Sequence, residues 1–446
     1  MNATRTIRNA NGAGNASGEG RLIACHECDL LQRVRPLPRN GVLRCCRCNA
    51  ELSRDHPDSV DRALAFTLAS MALFVVGNAF PIVGLDVNGD LVQTTLLGAV
   101  RVLYDDGMWP ISGLVFATTF LMPLLQMGTM TYLLVPLRFN RIPYRFDLIF
   151  RVLQLARPWG MTEVLILGML VALVKLAHIA SVVPGTALWS FGCMMLLLAA
   201  ASGAFDPQEV WSRTRAAEAA HGEDGQDGQD GQAHESATFG ARTAMRCGLL
   251  TCHSCELLVK STGPGHDTVC PRCGAHLHAR KPNSISRTWA LLIAAMVLYI
   301  PANVLPVMNT SSLFGSEKDT IMSGVVYLWT SGSWPLAVVV FIASVAVPML
   351  KIIAIMFLVI SAQMRSSSLP QQRARIYRLV ELVGRWSMLD IYVITILVAL
   401  VQFKALATIQ AGPAAIAFGS VVVLTMFASM TFDPRLIWDP MEKSRG

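Results

Sequence analysis

The sequence predicts an all-α polytopic membrane protein: eight transmembrane helices in two parallel four-helix repeats, each preceded by a small cytoplasmic four-cysteine zinc ribbon. Three observations predict it. Eight apolar runs are long enough to cross a bilayer, the two halves of the chain are copies of one another, and each copy opens with two C-x-x-C pairs. Composition agrees. The 446 residues are 53% hydrophobic and 15% charged, where a soluble domain carries about a quarter charged residues. This excludes a conventional soluble enzyme, a secreted disulfide scaffold and a disordered chain.

The apolar runs fall at 62–83, 109–136, 162–183 and 187–205, and again at 288–307, 334–361, 388–410 and 414–432. At 1.5 Å rise per residue, roughly 20 residues span a hydrocarbon core of ~30 Å. The first sixty residues hold no apolar stretch of signal-peptide type, so no cleavable leader is expected. Arg138, Arg141, Arg145, Arg151 and Arg157 lie between the second and third runs, and Arg365, Arg373, Arg375, Arg378 and Arg385 occupy the matching gap of the second set. By the positive-inside rule both termini and the central linker are cytoplasmic. The net charge of +7 is then chiefly a topology signal, which leaves little reason to expect nucleic acid as a partner.

A shift of 225 residues aligns Asn78-Ala-Phe-Pro81 with Asn303-Val-Leu-Pro306, Trp109-Pro110 with Trp334-Pro335, and Pro123 with Pro348. A shift of 227 aligns Trp159-Gly-Met161 with Trp386-Ser-Met388, Glu163 with Asp390, and Phe205-Asp-Pro207 with Phe432-Asp-Pro434. Four helices per copy is an even number, so both copies run the same way through the membrane as parallel repeats. The expected organisation is a disordered N-terminus over 1–20, ribbons over 21–55 and 246–281, membrane modules over 60–210 and 285–438, and a tail over 439–446. A flexible acidic linker with a repeated Asp-Gly-Gln is expected over 211–245.

Eight of eleven cysteines form the pairs Cys25/Cys28, Cys45/Cys48, Cys252/Cys255 and Cys270/Cys273, with sixteen and fourteen residues between pairs. Two knuckles at this separation bring four thiolates to one tetrahedral Zn²⁺, filling its coordination and making the two zinc ions structural. Disulfides are disfavoured in the cytoplasm; thiol redox chemistry is the competing account of a C-x-x-C pair. Cys46, Cys193 and Cys247 have no counterpart in the other copy.

No catalytic residue set stands out, and there is no G-x-x-x-x-G-K-[ST] loop for nucleotide, so the chain is not expected to be an enzyme. Polar residues within the apolar runs are the candidate lipid-cleft or gating groups, because a buried charge in a bilayer costs at least ~2.5 kcal/mol. Lys351 sits deep in the sixth run, and its counterpart is Gln126. Glu163 and Asp390 start the third run of each set, where a helix N-terminus alone stabilises a carboxylate. Lys175 lies near the outer end of the third run, where snorkelling accounts for it equally. Asn78 and Asn303 precede the prolines that end their helices, and serve either helix termination or a polar lining. Pro123 and Pro348 should kink their helices.

Tandem copies of a four-cysteine ribbon plus four helices, with Asn-x-x-Pro ending the first helix and Gly-x-Trp-Pro opening the second, resemble the paraquat-inducible protein A family of Gram-negative inner-membrane proteins. The likeness covers about residues 21–440. It implies modules of tetraspanin-like topology and a lipid-handling cleft. It also implies a periplasmic MCE-domain partner forming a tunnel, and a task of moving phospholipid or another hydrophobic molecule between bilayer and tunnel. A non-transporting anchor or assembly platform for that tunnel, and a small-molecule or proton-coupled permease, are the alternative functions.

Overall fold

The computed structural model describes residues 21–34, 41–54, 59–87, 90–139, 141–160, 164–170, 181–220, 242–261, 269–312, 315–332, 334–386, 391–393, 395, 402–403 and 407–443. The first copy opens with two antiparallel hairpins, β1 (Arg21–Ala24) with β2 (Leu31–Val34) and β3 (Val42–Arg44) with β4 (Glu51–Arg54). Its helices are α1 (Ser59–Ala79), α2 (Leu96–Asp105), α3 (Trp109–Phe116), α4 (Met122–Arg138), α5 (Phe146–Ala156), α6 (residues 164–170), α7 (Thr186–Ala204) and α8 (Pro207–Ala220). The second copy repeats this order. After β8 (Leu249–Thr251) and β9 (Leu258–Lys260) come α9 (Ser284–Val304), α10 (Ile321–Thr330), α11 (Trp334–Phe341), α12 (Val347–Gln363), α13 (Pro370–Trp386), α14 (residues 391–393), α15 (Pro413–Thr431) and α16 (Asp439–Lys443).

Among the described residues six helices are long and apolar enough to cross a membrane: Ser59–Ala79, Trp109–Arg138, Thr186–Ala204, Ser284–Val304, Ala337–Gln363 and Pro413–Thr431. The chain is a multi-pass membrane protein. The expected third and seventh spans, 162–183 and 388–410, fall largely outside the described residues. Where they are described at their far ends they are not helical: β7 (Ser181–Pro184), β12 (Gln402–Phe403) and β13 (Ala407–Ala411) are strands. Short apolar stretches rich in Val, Ile and Thr satisfy a strand as readily as the end of a helix, and hydropathy alone does not separate them.

These strands correct the all-α expectation. With β5 (Val83–Val87) and β6 (Asp90–Thr94), β7 forms a three-stranded antiparallel sheet in the order β6-β5-β7. In the second copy β10 (Met308–Ser312), β11 (Gly315–Asp319), β12 and β13 form a four-stranded sheet in the order β11-β10-β13-β12. Each sheet links the end of the first span to the start of the last, on the side away from the ribbons.

Within each repeat the first and last spans pack lengthwise, α1 on α7 and α9 on α15. Gly185 and Gly412 open the last spans at tight crossings. A Cβ at either would lie 2.1 Å from a backbone oxygen, that of Pro81 or Pro306, so the Asn-x-x-Pro turn and the last span meet only through glycine. The second spans are continuous but change pitch. π-helical turns over Ala117–Leu121 and Ile342–Ala346 directly precede Pro123 and Pro348, with Met122 N–H donating to Ala117 O and Val347 N–H to Ile342 O. Proline lacks an N–H and its ring crowds the carbonyl four residues back. The wider turn relieves both, and Thr119 Oγ1 donates to the Val115 carbonyl at 2.7 Å. Both prolines thus mark local re-winding of the helix.

The two repeats share one apolar core, in which Phe74, Leu96, Leu103, Val115 and Phe191 of the first copy cluster with Ala302, Tyr392, Phe418 and Val422 of the second. Helix α8 runs through position 211, where the linker was expected to begin. At the linker's other end Arg242 O accepts from Leu31 N–H, and Ala244 N–H donates to Asp29 O at 2.9 Å. That end therefore belongs to the first ribbon's surface; the Asp-Gly-Gln stretch lies outside the described residues.

Candidate metal centres and intramembrane polar site

Each ribbon knuckle is built the same way. The first cysteine's carbonyl accepts from the N–H four residues on: Asp29 and Asn49 in one ribbon, Glu256 and Gly274 in the other. All four turns close with that residue in the left-handed region, at φ 61, 63, 58 and 62°. This tight turn faces the two thiols of a knuckle the same way. Two knuckles then bring four buried sulfurs within 4.8 Å of one another, Cys25, Cys28, Cys45 and Cys48 in one group and Cys252, Cys255, Cys270 and Cys273 in the other. Across the knuckles Cys25 and Cys48 Sγ lie 3.5 Å apart, Cys28 and Cys45 3.5 Å, Cys252 and Cys273 3.4 Å, and Cys255 and Cys270 3.5 Å.

Four sulfurs held at ~2.3 Å from one tetrahedral ion stand about 3.8 Å apart, so the donor set fits such an ion. The electrostatics points the same way. Without a cation the crowded thiols cannot all ionise: the neighbouring Cys25 pushes Cys28 up and Cys252 pushes Cys255 up, while hydrogen bonds from those same neighbours hold Cys45 and Cys270 down. Gln32 adds an Nε2 donor 3.1 Å from Cys45 Sγ. Cys46 and Cys193 are exposed and Cys247 is half-buried, all three outside the clusters.

The ribbons are exchanged between the repeats. The first ribbon's cysteines pack in a cluster with Leu292, Ile352, Leu358, Phe432 and Trp438 of the second repeat. The second ribbon's cysteines pack with Val60, Met130, Leu133, Phe150 and Trp211 of the first. Equivalent arginines make the attachment. Arg378 on α13 donates to the Cys48 carbonyl at 2.7 Å and to both oxygens of Glu27, with Nε–Oε1 2.7 Å and Nη2–Oε2 2.5 Å. Arg151 on α5, its counterpart by the 227-residue shift, donates to the Cys273 carbonyl. Arg47 stacks over Trp438 at 4.6 Å and Arg272 over Trp211 at 5.5 Å, again as equivalent pairs. A buried ionic knot then ties the first ribbon to the C-terminal end: Asp29 meets Arg280 at 3.2 Å, and Arg280 meets Asp439 at 2.7 Å. Burial raises the Asp29 pKa, against the pull of Arg280 and Arg435. Arg151 and Arg378 read in the sequence as topology signals; pairing them with the opposite ribbon's knuckle needed the tertiary structure.

Of the intramembrane polar residues, Lys351 is 2% exposed near the middle of the span Ala337–Gln363, and its Nζ has no hydrogen-bond partner among the described residues. It lies against Gly384, where a Cβ would sit 3.1 Å from Nζ. In the first repeat Gln126, also buried, donates from Nε2 to Ser202 Oγ at 3.1 Å, and Arg157 donates to the Ser202 carbonyl at 3.1 Å. Arg157 is the counterpart of Gly384 by the 227-residue shift. Each repeat therefore holds one cation at the same place, from the second span in one copy and from the segment after α5 in the other.

Asn78 and Asn303 each donate to the carbonyl four residues back, Phe74 O at 2.8 Å and Tyr299 O at 2.9 Å, while Asn78 Oδ1 is buried without a partner among the described residues. Glu163, Lys175 and Asp390 lie outside the described residues. A cavity of about 580 Å³ opens at the ribbon-side end of α9, lined by Lys281, Asn283, Ser284, Trp289 and Gln363 among others; Lys351 is not among its walls.

The family model for paraquat-inducible protein A matches residues 60–215 and 285–442, which are the two membrane repeats without their ribbons. The chain is 34% identical over 427 residues to the intermembrane transport protein PqiA of Escherichia coli strain K12, covering 95% of this chain and 96% of that one. It is 28% identical over 438 residues to the lipophilic envelope-spanning tunnel protein A of the same strain, covering 97% and 95%. To a probable intermembrane transport protein of Haemophilus influenzae it is 25% identical over 430 residues, covering 95% and 97%. These relatives carry names of transport proteins, not of enzymes. No solved structure matches. With both repeats matched and a relative above 30% identity aligned along almost its whole length, the chain belongs to the paraquat-inducible protein A family.

Proposed function

We propose that this protein is the inner-membrane component of a lipid transport system, moving phospholipid or another hydrophobic molecule between the bilayer and a tunnel formed by a periplasmic MCE-domain protein. Both termini and the two ribbons lie on the cytoplasmic side, and the two sheets at the opposite end face the periplasmic partner. Cys25, Cys28, Cys45 and Cys48 hold one structural zinc ion, and Cys252, Cys255, Cys270 and Cys273 the other. When bound, zinc supplies folding energy to domains too small to hold themselves together; it takes no part in transport. The names of the relatives support the transport class.

The observation that carries the reading is Lys351. An ammonium at mid-membrane depth with no partner among the described residues is costly, and such groups line the paths of polar or charged cargo. Gln126, Asn78, Asn303, Glu163, Asp390 and Lys175 complete the polar set along the cleft, and the re-wound turns before Pro123 and Pro348 shape it. Lys351→Ala, assayed for phospholipid delivery from proteoliposomes to the periplasmic partner, is expected to abolish delivery with protein abundance unchanged. Normal delivery by that variant overturns the reading. Photo-crosslinks from Lys351 that reach only the protein partner, and never lipid, favour the assembly platform instead.

A further inference from the structure

The membrane helices of the two repeats follow the same order, yet the short helices after the first spans, α2 and α10, are buried unequally. On α2 the residues Leu96, Ala99 and Leu103 are all within 2% of full burial, and Leu96 and Leu103 belong to the core the repeats share. Their counterparts on α10 by the 225-residue shift are Ile321, Gly324 and Leu328, and α10 has no buried residue. A Cβ at Gly324 would meet nothing within 4 Å. Among the described residues from α10 to the π-helical turn after α11, Ile321 and Ala343 alone reach the edge of the shared core.

The chemistry of the two seams differs as the burial does. Tyr392 on α14, fully buried, donates to Thr118 Oγ1 at 3.0 Å, fastening the first repeat's second span to the second repeat. The counterparts of this pair are Leu165 and Ala343, which have no group to make the bond. Helix α3 packs against α15 across the closed seam. Both seams expose aromatic rings, Tyr104 and Trp109 on one and Trp329 and Trp334 on the other, but α2 carries the ion pair Arg101–Asp105, while α10 has no charged residue at all and exposes Met322, Val326 and Tyr327 besides. Amphipathic aromatic rings at the end of a span mark the membrane–water interface, so α10 lies at the boundary of headgroups and acyl chains on the side away from the ribbons.

We infer that the α10–α11 seam is the lateral port by which a bilayer phospholipid passes between the membrane and the boundary where the repeats meet, and that the α2–α3 seam is its latched counterpart. The occupant is an acyl chain and not a protein segment. The exposed face offers apolar and aromatic surface without charges, it is continuous with the shared core at Ile321 and Ala343, and its depth is that of the lipid boundary. This inference rests on the transport reading proposed above.

Gly324→Trp tests it in the full-length protein. A Cβ at this position meets nothing within 4 Å, so the new side chain enters the seam without a clash at its root. Delivery of labelled phosphatidylethanolamine from proteoliposomes is expected to fall at least tenfold, with fewer lipids retained on the purified protein. Val297→Trp, on an exposed face of α9, is expected to transfer at the unaltered rate. If Gly324→Trp folds normally and delivers lipid at the full rate while Lys351→Ala does not deliver, the port is wrong and the transport reading stands. If neither variant alters delivery, the transport reading itself fails and takes the port with it. Should Gly324→Trp reduce the yield of folded protein, Leu328→Trp at the far end of the same seam gives the second measurement, and an unaltered rate there also overturns the port.

Discussion

Arg378→Ala should release the first ribbon, which lies 330 residues away in sequence, and leave the second in place. The guanidinium makes contacts of 2.5–2.9 Å with both Glu27 oxygens and one of 2.7 Å with the Cys48 carbonyl. Glu27's side chain is 10% exposed, so the lost donors are not simply replaced by water; that of Arg378 is 32% exposed, which discounts the interaction. Hydrogen bonds to charged groups contribute about 1.5–3 kcal/mol, and for a pair screened on one side about 2.5 kcal/mol is a fair magnitude. That is roughly a 60-fold shift towards the undocked ribbon. Maleimide labelling followed by peptide mapping reads it directly: Cys25, Cys28, Cys45 and Cys48 should become reactive tens of times faster, with Cys252, Cys255, Cys270 and Cys273 unchanged. Arg378→Lys keeps the charge but loses the forked geometry and should fall between. Unchanged labelling of the first ribbon, or faster labelling of the second, would refute the exchanged arrangement.

Other outcomes can be stated as firmly. Metal analysis of the purified protein should find two zinc ions per chain, and Cys252→Ser should lose one and lower abundance because its ribbon covers α4 and α5. Gln126→Lys alone places a second cation near Arg157, a repulsion of about 3 kcal/mol at roughly 6 Å in a medium of effective dielectric 20. Adding Arg157→Gly recreates the Lys351–Gly384 pair of the other repeat and should restore most of the lost thermal stability, read as the unfolding midpoint in detergent. Gly185→Ala drives a Cβ to 2.1 Å from the Pro81 carbonyl; overpacking of this kind costs about 3 kcal/mol and should lower the yield of monodisperse protein. Gly412→Ala should do the same in the second repeat, and a neutral result at both would refute the close crossing.

Much of this protein is local information and was legible in its sequence. Six of the eight apolar runs correspond to helices long enough to cross a membrane, and a C-x-x-C knuckle closes its own turn within five residues. The duplication is visible in the spacing of Asn78, Trp109, Pro123 and Phe205 against Asn303, Trp334, Pro348 and Phe432. The all-α expectation failed at Ser181–Pro184 and Ala407–Ala411 because a strand's partners are far away: β7 is held by β5 almost a hundred residues earlier, and no periodicity within four or five residues reports that pairing.

Only the tertiary structure decided how the copies are joined. Chain order suggests that each ribbon sits on the repeat that follows it, yet Arg378 takes Glu27 and Arg151 takes the Cys273 carbonyl, so each ribbon covers the other copy. The two docking sites share the equivalent arginine and tryptophan, Arg151 with Trp211 and Arg378 with Trp438, and differ in the Arg378–Glu27 pair and the Asp29–Arg280–Asp439 knot. These contacts join residues more than a hundred positions apart, which no local pattern reports. The inequality of α2 and α10 is of the same kind. Both are short helices rich in apolar residues, and what only the structure shows is that Leu96, Ala99 and Leu103 are buried while α10 buries nothing. Beside α2, Tyr392 and Thr118, 274 positions apart, make a hydrogen bond that their counterparts Leu165 and Ala343 cannot form.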